Sequence, residues 1–454
     1  RPEGIVRLSY KSGLNSRDYQ FGVRSLADPR LAIPLLQGEP ERKALKEFGF
    51  GTEMPLLAGE LWGHWGDVSK TGVRARLNLT NFTFRGEQFE RVSGFVEVTN
   101  NGIRVSDVFV KRAEGTLTTP GVFIDTAIDR VWLTNLVSTI DHMAICRIIG
   151  PKTARSVAPY RFSIPPKILL HGSVDTGRRA EKTTDLHFQV EGGAFSWFKF
   201  NLPHLKTDMH WTTNHLLMTN LVASAYGGSV NGALHFDFSP PKGNDFFYQL
   251  WFTNIGLRGL IADVSNPKNH LEGELSGLLN VTHGNTEFWN SWQGHGHARM
   301  TNGLLWDIPV FGLFSPILNT LESGLGNSKA VEATSTYIIT NSVIYTRDMM
   351  IHSPPARLYY NGTVDFDANI NARVEAKLFK NKFLVGQLFD LLTLPITKAF
   401  EYKVSGTLAQ PKREPLFIAK VFLLPFKPLK ALQEIFAGDG LRQVPKGQEK
   451  PKEK

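Results

Sequence analysis

Between residues 364 and 378 the chain reads VDFDANINARVEAKL: every even position from Val364 to Leu378 is apolar, and every odd position from Asp365 to Lys377 is polar or charged. A period of two belongs to a strand whose side chains point alternately to two faces, one greasy and one wet. Fifteen residues at about 3.3 Å each predict a strand roughly 50 Å long, far above the usual length. Shorter alternation recurs in RARLNLTNFTF, GFVEVTNNGIRVSDVFV, LHFDF and TYIITNSVIYT. Turn chemistry at Asn100–Asn101–Gly102, Gly227–Gly228 and Asn361–Gly362 separates these runs, and an antiparallel meander is the simplest connection.

The alternation is repeated. FVEVTNNGIRVSDVFVKRAEGTLTTPG from Phe95, MHWTTNHLLMTNLVASAYGGSVNG from Met209 and YIITNSVIYTRDMMIHSPPARLYYNG from Tyr337 each read as strand, Thr-Asn turn, strand, short break and strand. Their Thr-Asn pairs start at Thr99, Thr213 and Thr340, a unit too long for a short-repeat solenoid and suited to a multi-strand sheet segment. A second recurring element, an apolar-Gly-polar strand start, appears in LLAGELWG, ILLHGSVD and LEGELSGLL.

Helical text is scarce. PERKALKEF is short, and TNLVSTIDHMAICRIIGP places Leu136, Val137, Ile140, Met143, Ala144 and Ile148 on one face before Gly150–Pro151 stops it. KPLKALQEIFAG predicts a helix with Leu429, Leu432 and Phe436 on one side. LLWDIPVFGLFSPILNTL, residues 304–321, carries the single charge Asp307. Pro309, Gly312 and Pro316 interrupt it, which argues against a spanning helix and for an amphipathic one divided at Pro316. The apolar sheet face is therefore long and its helical cover scant. Such a face must be buried against another sheet, a helix layer or a ligand.

With 42% hydrophobic and 20% charged residues in 454, the chain has the composition of a folded protein. Its one cysteine, Cys146, excludes internal disulfides and a thiolate metal cage, which suits both the cytosol and a cell envelope. The net charge of +9 is partly carried by the solvated tail RQVPKGQEKPKEK and serves solubility; no basic-aromatic nucleic-acid signature accompanies it. No metalloprotease helix, serine elbow or phosphate loop occurs. His295 and His297 in GHGHA share a strand face without an acidic or thiol neighbour in sequence, as exposed strand histidines do. Asp365 and Asp367 lie on the polar side of their strand near Arg373 and Lys377, which makes them solvated groups. No enzymatic chemistry and no cofactor are expected.

From about Leu271 onward the order of features resembles the C-terminal region of the AsmA family. The segments that carry the likeness are LEGELSGLLNVTHGN, WNSWQGHGHARMTNGLLWDIPVFGLFSPIL, SPPARLYYNGTVDFDANINARVEAKL and YKVSGTLAQPKREP. Within them a G-x-L element at Gly303–Leu305 runs into the Pro- and Gly-containing apolar stretch. A G-x-V-D strand at Gly362–Asp365 and a closing V-x-G-T-L-x-x-P at Val404–Pro411 follow. The resemblance covers roughly a third of the chain, the earlier repeats looking like degenerate upstream copies.

What it implies is a mainly β fold: an elongated, curled antiparallel sheet forming a repeated β-groove, with a few amphipathic helices. It also implies an outer-membrane-biogenesis protein of the Gram-negative envelope, its bulk in the periplasm. Phospholipid would pass along the greasy interior between inner and outer membranes, with envelope proteins as further partners and no nucleic acid. The chain starts at Arg1, so the family's N-terminal inner-membrane helix is expected upstream of it. Groove segments are expected at 1–130 and 131–260, the AsmA-like region at 261–425, and an amphipathic helix with a basic tail at 426–454. Val364, Phe366, Ile370, Val374 and Leu378 are the residues expected on acyl chains, with Phe311, Phe314, Ile317 and Leu318 at a gate or membrane contact. The alternative is an envelope scaffold in which two sheets close on each other as a dry sandwich.

Overall fold

The computed structural model describes residues 5–13, 15–35, 39–51, 54–176, 183–197, 199–264, 268–303, 312–316, 330–353, 356–378 and 400–418. Among them the chain is mainly β: twenty-four strands hydrogen-bond in antiparallel sheet, and the helices are short. It divides into two compact units, Arg1–Phe198 with Pro203–Asn220, and Lys199–Leu202 with Leu221–Lys454.

Unit 1 begins with β1 (Val6–Ser12), β2 (Asp18–Ser25), β3 (Phe48–Phe50), β4 (Leu56–His64) and β5 (Asp67–Phe84). It continues through β6 (Glu87–Thr99), β7 (Gly102–Arg112), β8 (Gly115–Asp125) and β9 (Arg130–Ser138). Then come β10 (Tyr160–Phe162), β11 (Lys167–Asp175), β12 (Thr184–Trp197) and the turn ends of β13 (Phe200–Thr212) and β14 (His215–Ala225). Three α-helices interrupt them: α1 (Glu39–Lys46), α2 (His142–Ile149) and α3 (Pro151–Val157). Unit 2 runs from β15 (Gly228–Asp237) and β16 (Asp245–Gly256) through α4 (Leu257–Val264) to β17 (Glu274–Asn285) and β18 (Gln293–Gly303). Six more strands complete it: β19 (Ala330–Thr340), β20 (Val343–Ser353), β21 (Ala356–Asp365), β22 (Ile370–Leu378), β23 (Phe400–Gly406) and β24 (Pro411–Ile418).

The segment 364–378 is not one strand. β21 ends at Asp365, residues 366–369 turn, and β22 returns with Ile370 opposite Val364. The Asp365 carboxylate holds the turn by accepting from the Asn369 backbone N–H and side-chain amide, each at 2.8 Å, while Ala368 takes a positive φ of 65°. Alternation runs unbroken through this reversal because the register pairs even residues with even ones, so both strands turn the same parity inward. Asn361–Gly362, expected as a turn, lies inside β21. A Cβ on Gly362 would stand 2.4 Å from the Ala372 Cα, so the glycine serves a close cross-strand approach.

The three Thr-Asn sites are hairpin turns joining β6 to β7, β13 to β14, and β19 to β20. At the last, Asn341 and Ser342 take φ of 50° and 61°, the left-handed pair that a tight two-residue hairpin requires. Left-handed residues also interrupt β5 at Asn81, β7 at Asp107, β9 at Asn135, β12 at Ala194, β14 at Asn220, β16 at Asn254 and β18 at Asn302. Several coincide with register shifts, as between Ser93 and Phe95 beside Asp107, and between Phe252 and Ile255 around Asn254. Such bulges bend a strand and increase its twist.

PERKALKEF forms most of α1. Leu136 and Val137 belong to β9, not to the helix their spacing suggests, because β8 and β11 claim their backbone groups. The helix starts only after Asp141, whose carboxylate accepts from the Met143 N–H at 3.0 Å, and Gly150 ends it before Pro151 opens α3. The expected helix around Leu429 and the tail lie outside the described residues. Among the described residues no helix is long and apolar enough to cross a membrane.

The hairpin makes Val364 and Ile370 direct neighbours, where a single extended strand would hold them about 20 Å apart. Val364→Cys with Ile370→Cys, in a Cys146→Ser background, is expected to oxidise to an intramolecular disulfide under mild oxidant. Thiol counting by mass spectrometry checks it.

Candidate functional site

In unit 1 one face of the sheet is apolar in register from strand to strand. Leu8 of β1 pairs with Val23, Val23 with Gly59, Gly59 with Ala75, and Ala75 with Val96. The row continues through Val105, Val122, Leu133 and Gly172 to Leu186 of β12. Ten strands at about 4.8 Å spacing make a path of about 43 Å along the sheet. No residue of this row is buried. In the parallel row Val73 is 38% and Val98 37% exposed, where a second layer would have closed over them.

The other end of the same strands is closed. Leu79, Phe82 and Phe89 form a buried cluster with Phe48, Phe50, Phe84, Val110 and Ile148 of α2 against it. Phe82 stacks on Phe89 with centroids 5.2 Å apart, and Phe48 lies 4.6 Å from Phe84. Glu87 clamps α2 in place: it accepts from Arg147 Nε at 2.5 Å and from Arg112 at 3.0 Å. The Arg147 hydrogen bond above all holds the Glu87 carboxyl below its ordinary value.

Unit 2 carries an equivalent row: Leu234, Tyr248, Val281, Gly294, Ile339, Ile344, Val364 and Ile370, one from each of β15 to β22. Here glycines seat large side chains from the next strand. A Cβ on Gly284 would meet the Phe246 ring at 2.7 Å, on Gly277 the Phe252 ring at 2.9 Å, and on Gly296 the Tyr337 hydroxyl at 2.6 Å. The rings reach across the glycines, where any larger residue would obstruct them. Tyr337 donates to the Leu278 carbonyl at 2.9 Å. Burial pushes the Tyr248 and Tyr337 phenols up to about 12, so both are neutral donors in an apolar floor.

Unlike that of unit 1, this floor is largely covered. Phe314 is 0% exposed, stacked 5.7 Å from Phe400 and edge-on to Tyr360 and Tyr402. Leu313 is buried beside it, and its carbonyl accepts from Arg413 at 2.6 Å, an arginine that also lies over the Tyr402 ring. At the opposite end Trp292 stands edge-on to Phe246 and to Phe366, with Trp289 stacked on Trp292.

The residues expected on acyl chains fall within this covered region. Ile370 and Val374 are buried at 7% and 0%, Val364 packs against the same core, and Phe366 sits in the turn under the tryptophans. Phe314, expected at a gate, is a core residue in contact with β21 and β23. Leu378 is the last residue of β22, its side chain outside the described set; Phe311, Ile317 and Leu318 also lie outside the described residues. Sequence reasoning missed the half-exposed row of unit 1, whose alternation is interrupted by bulges and therefore reads less cleanly.

The reverse face is polar. Arg74 pairs with Glu97 at 3.0 Å and Lys111 with Glu90 at 2.8 Å, and guanidinium groups cover the outward aromatics: Arg76 over Phe95, Arg104 over Phe123, Arg130 over Trp132. His295 and His297 are exposed on this face in unit 2, with His295 Nε2 3.2 Å from the Asn280 amide. Asp365 is occupied by its own turn. Compared with known proteins, the chain matches no family model, no curated sequence and no solved structure.

Phe314→Ala is expected to cost unit 2 about 3–5 kcal/mol, the range for a fully buried ring, and to raise binding of an apolar dye. Denaturant titration followed by intrinsic fluorescence checks it. The raised phenols set the alkaline limit: unfolded tyrosine loses its proton near 10, so stability present below that value is lost as pH rises from about 10 towards 12. Tyr337→Phe is expected to flatten that loss in denaturation curves recorded across the range.

Proposed function

We propose that the chain is a cell-envelope protein of the AsmA type, which binds lipid acyl chains on its apolar sheet face and guides phospholipid between the inner and outer membranes. The observation that carries this is the row from Leu8 to Leu186: ten strands in register, eight giving an apolar side chain and two a glycine, none of these residues buried. Each methylene moved from water onto such a floor contributes about 0.8 kcal/mol, so a lipid tail is held with no catalytic group and no fixed polar partner. Guidance is passive, because a smooth apolar floor offers equal contacts at successive positions along it. The envelope setting and the inner-membrane anchorage rest on the family resemblance of residues 271–411. The uncovered floor of unit 1 is the carrying surface in this reading.

A scaffold role draws on a different observation. In β1 every residue is exposed, with Leu8 at 75%, and its described pairing is with β2 alone. An edge of this kind accepts a further strand.

Native mass spectrometry of the purified protein is expected to show bound phospholipid. Val96→Asp with Val105→Asp, which place two carboxylates mid-row, are expected to lower its occupancy several-fold with circular dichroism unchanged. Lipid-free wild-type protein, or equal lipid in the double variant, overturns the acyl-chain role and leaves the β1 edge as the stronger basis for function.

A further inference from the structure

The polar face of unit 1 carries a cluster with no part in lipid binding. Alternation in β12 turns Leu186 and Phe188 to the apolar face and Asp185 and His187 to the opposite one. On β13, His210 arrives beside them: its Nε2 is 2.8 Å from Asp185 Oδ1, and His187 Nε2 is 3.5 Å from that same oxygen. The two imidazoles are stacked with centroids 3.9 Å apart, and His171 of β11 stacks on the far side of His187 at 4.9 Å. Three histidines thus form a ladder across three strands with a carboxylate at one rung.

We propose that Asp185, His187 and His210 bind a divalent transition-metal ion of the zinc class. Their ligand atoms all lie within 4.8 Å of one another. A tetrahedral zinc with bonds of about 2.0–2.1 Å spaces its ligands about 3.3 Å apart, between the two distances observed. The donor set of two imidazoles and one carboxylate suits zinc, nickel or copper and does not suit calcium or magnesium, which take oxygen ligands. Both histidines are partly exposed, so water completes the coordination. His171 is placed to orient the His187 ring. Arg130, a cation whose charge acts on Asp185, is paired with Asp175 at 2.9 Å. Sequence spacing conceals the group because His210 lies 25 residues from Asp185; Asp-x-His in an alternating strand was its one visible mark. An ion bound here links β12 to β13 by side chains, adding to stability by mass action.

Calorimetric titration of the full chain with zinc chloride is expected to show about one equivalent bound, and thermal unfolding to shift upward with added zinc. His187→Gln with His210→Gln is expected to weaken binding at least about tenfold, and Asp185→Asn to weaken it less. All three positions are on the surface, and circular dichroism of the metal-free variants verifies the fold. His295→Gln with His297→Gln leaves binding unchanged. Absence of heat in the wild type, or equal affinity in the His187/His210 variant, overturns the proposal. Loss of binding in the His295/His297 variant moves the site to that pair and overturns it equally.

Discussion

Everything in this protein depends on how an apolar sheet face is kept from water. A β-strand with alternating side chains necessarily produces such a face, and each paired strand extends it. In unit 2 the chain supplies its own cover: Phe314 and Leu313 over β21–β23 at one end, Trp292 over Phe246 and Phe366 at the other. In unit 1 the described residues close one end, through Phe82, Phe89 and α2. The difference between the units is the difference between a covered core and an apolar face left partly exposed.

Two devices shape that face. Left-handed bulge residues recur along the chain, in β5, β7 and β9 and again in β12, β14, β16 and β18. Those at Asp107, Asn135 and Asn254 coincide with register shifts, and such bulges bend a strand and increase its twist. Glycines then remove the ridges. Phe246, Phe252 and Tyr337 lie across Gly284, Gly277 and Gly296, which buries ring area within a single layer and leaves a low floor.

The two faces divide the chemistry. Apolar groups on one side need only be smooth and continuous, and no charge interrupts the row from Leu8 to Leu186. The other side carries the arginines that shield Phe95, Phe123 and Trp132, the ion pairs that fix register, and the histidine ladder. One residue of register slip would exchange these faces, which is why bulges and tight turns are specified so closely.

Read alone, the chain announced its class. Alternation at period two, Thr-Asn turns at Thr99, Thr213 and Thr340, and the shortage of helical text all led to antiparallel sheet, and the structure has it. These are local signals, carried by neighbours in sequence. What tertiary structure decided was pairing and cover. Residues 364–378 look like one strand and form two, since parity survives a reversal with even-to-even pairing. Leu136 and Val137 look helical and pair with β8 and β11. Val374 and Phe314 carry nothing in their own sequence that says they are sealed against each other's neighbours, because burial depends on which distant segment arrives. For the same reason the open floor of unit 1 and the meeting of His187 with His210 emerged only once the strands were set side by side.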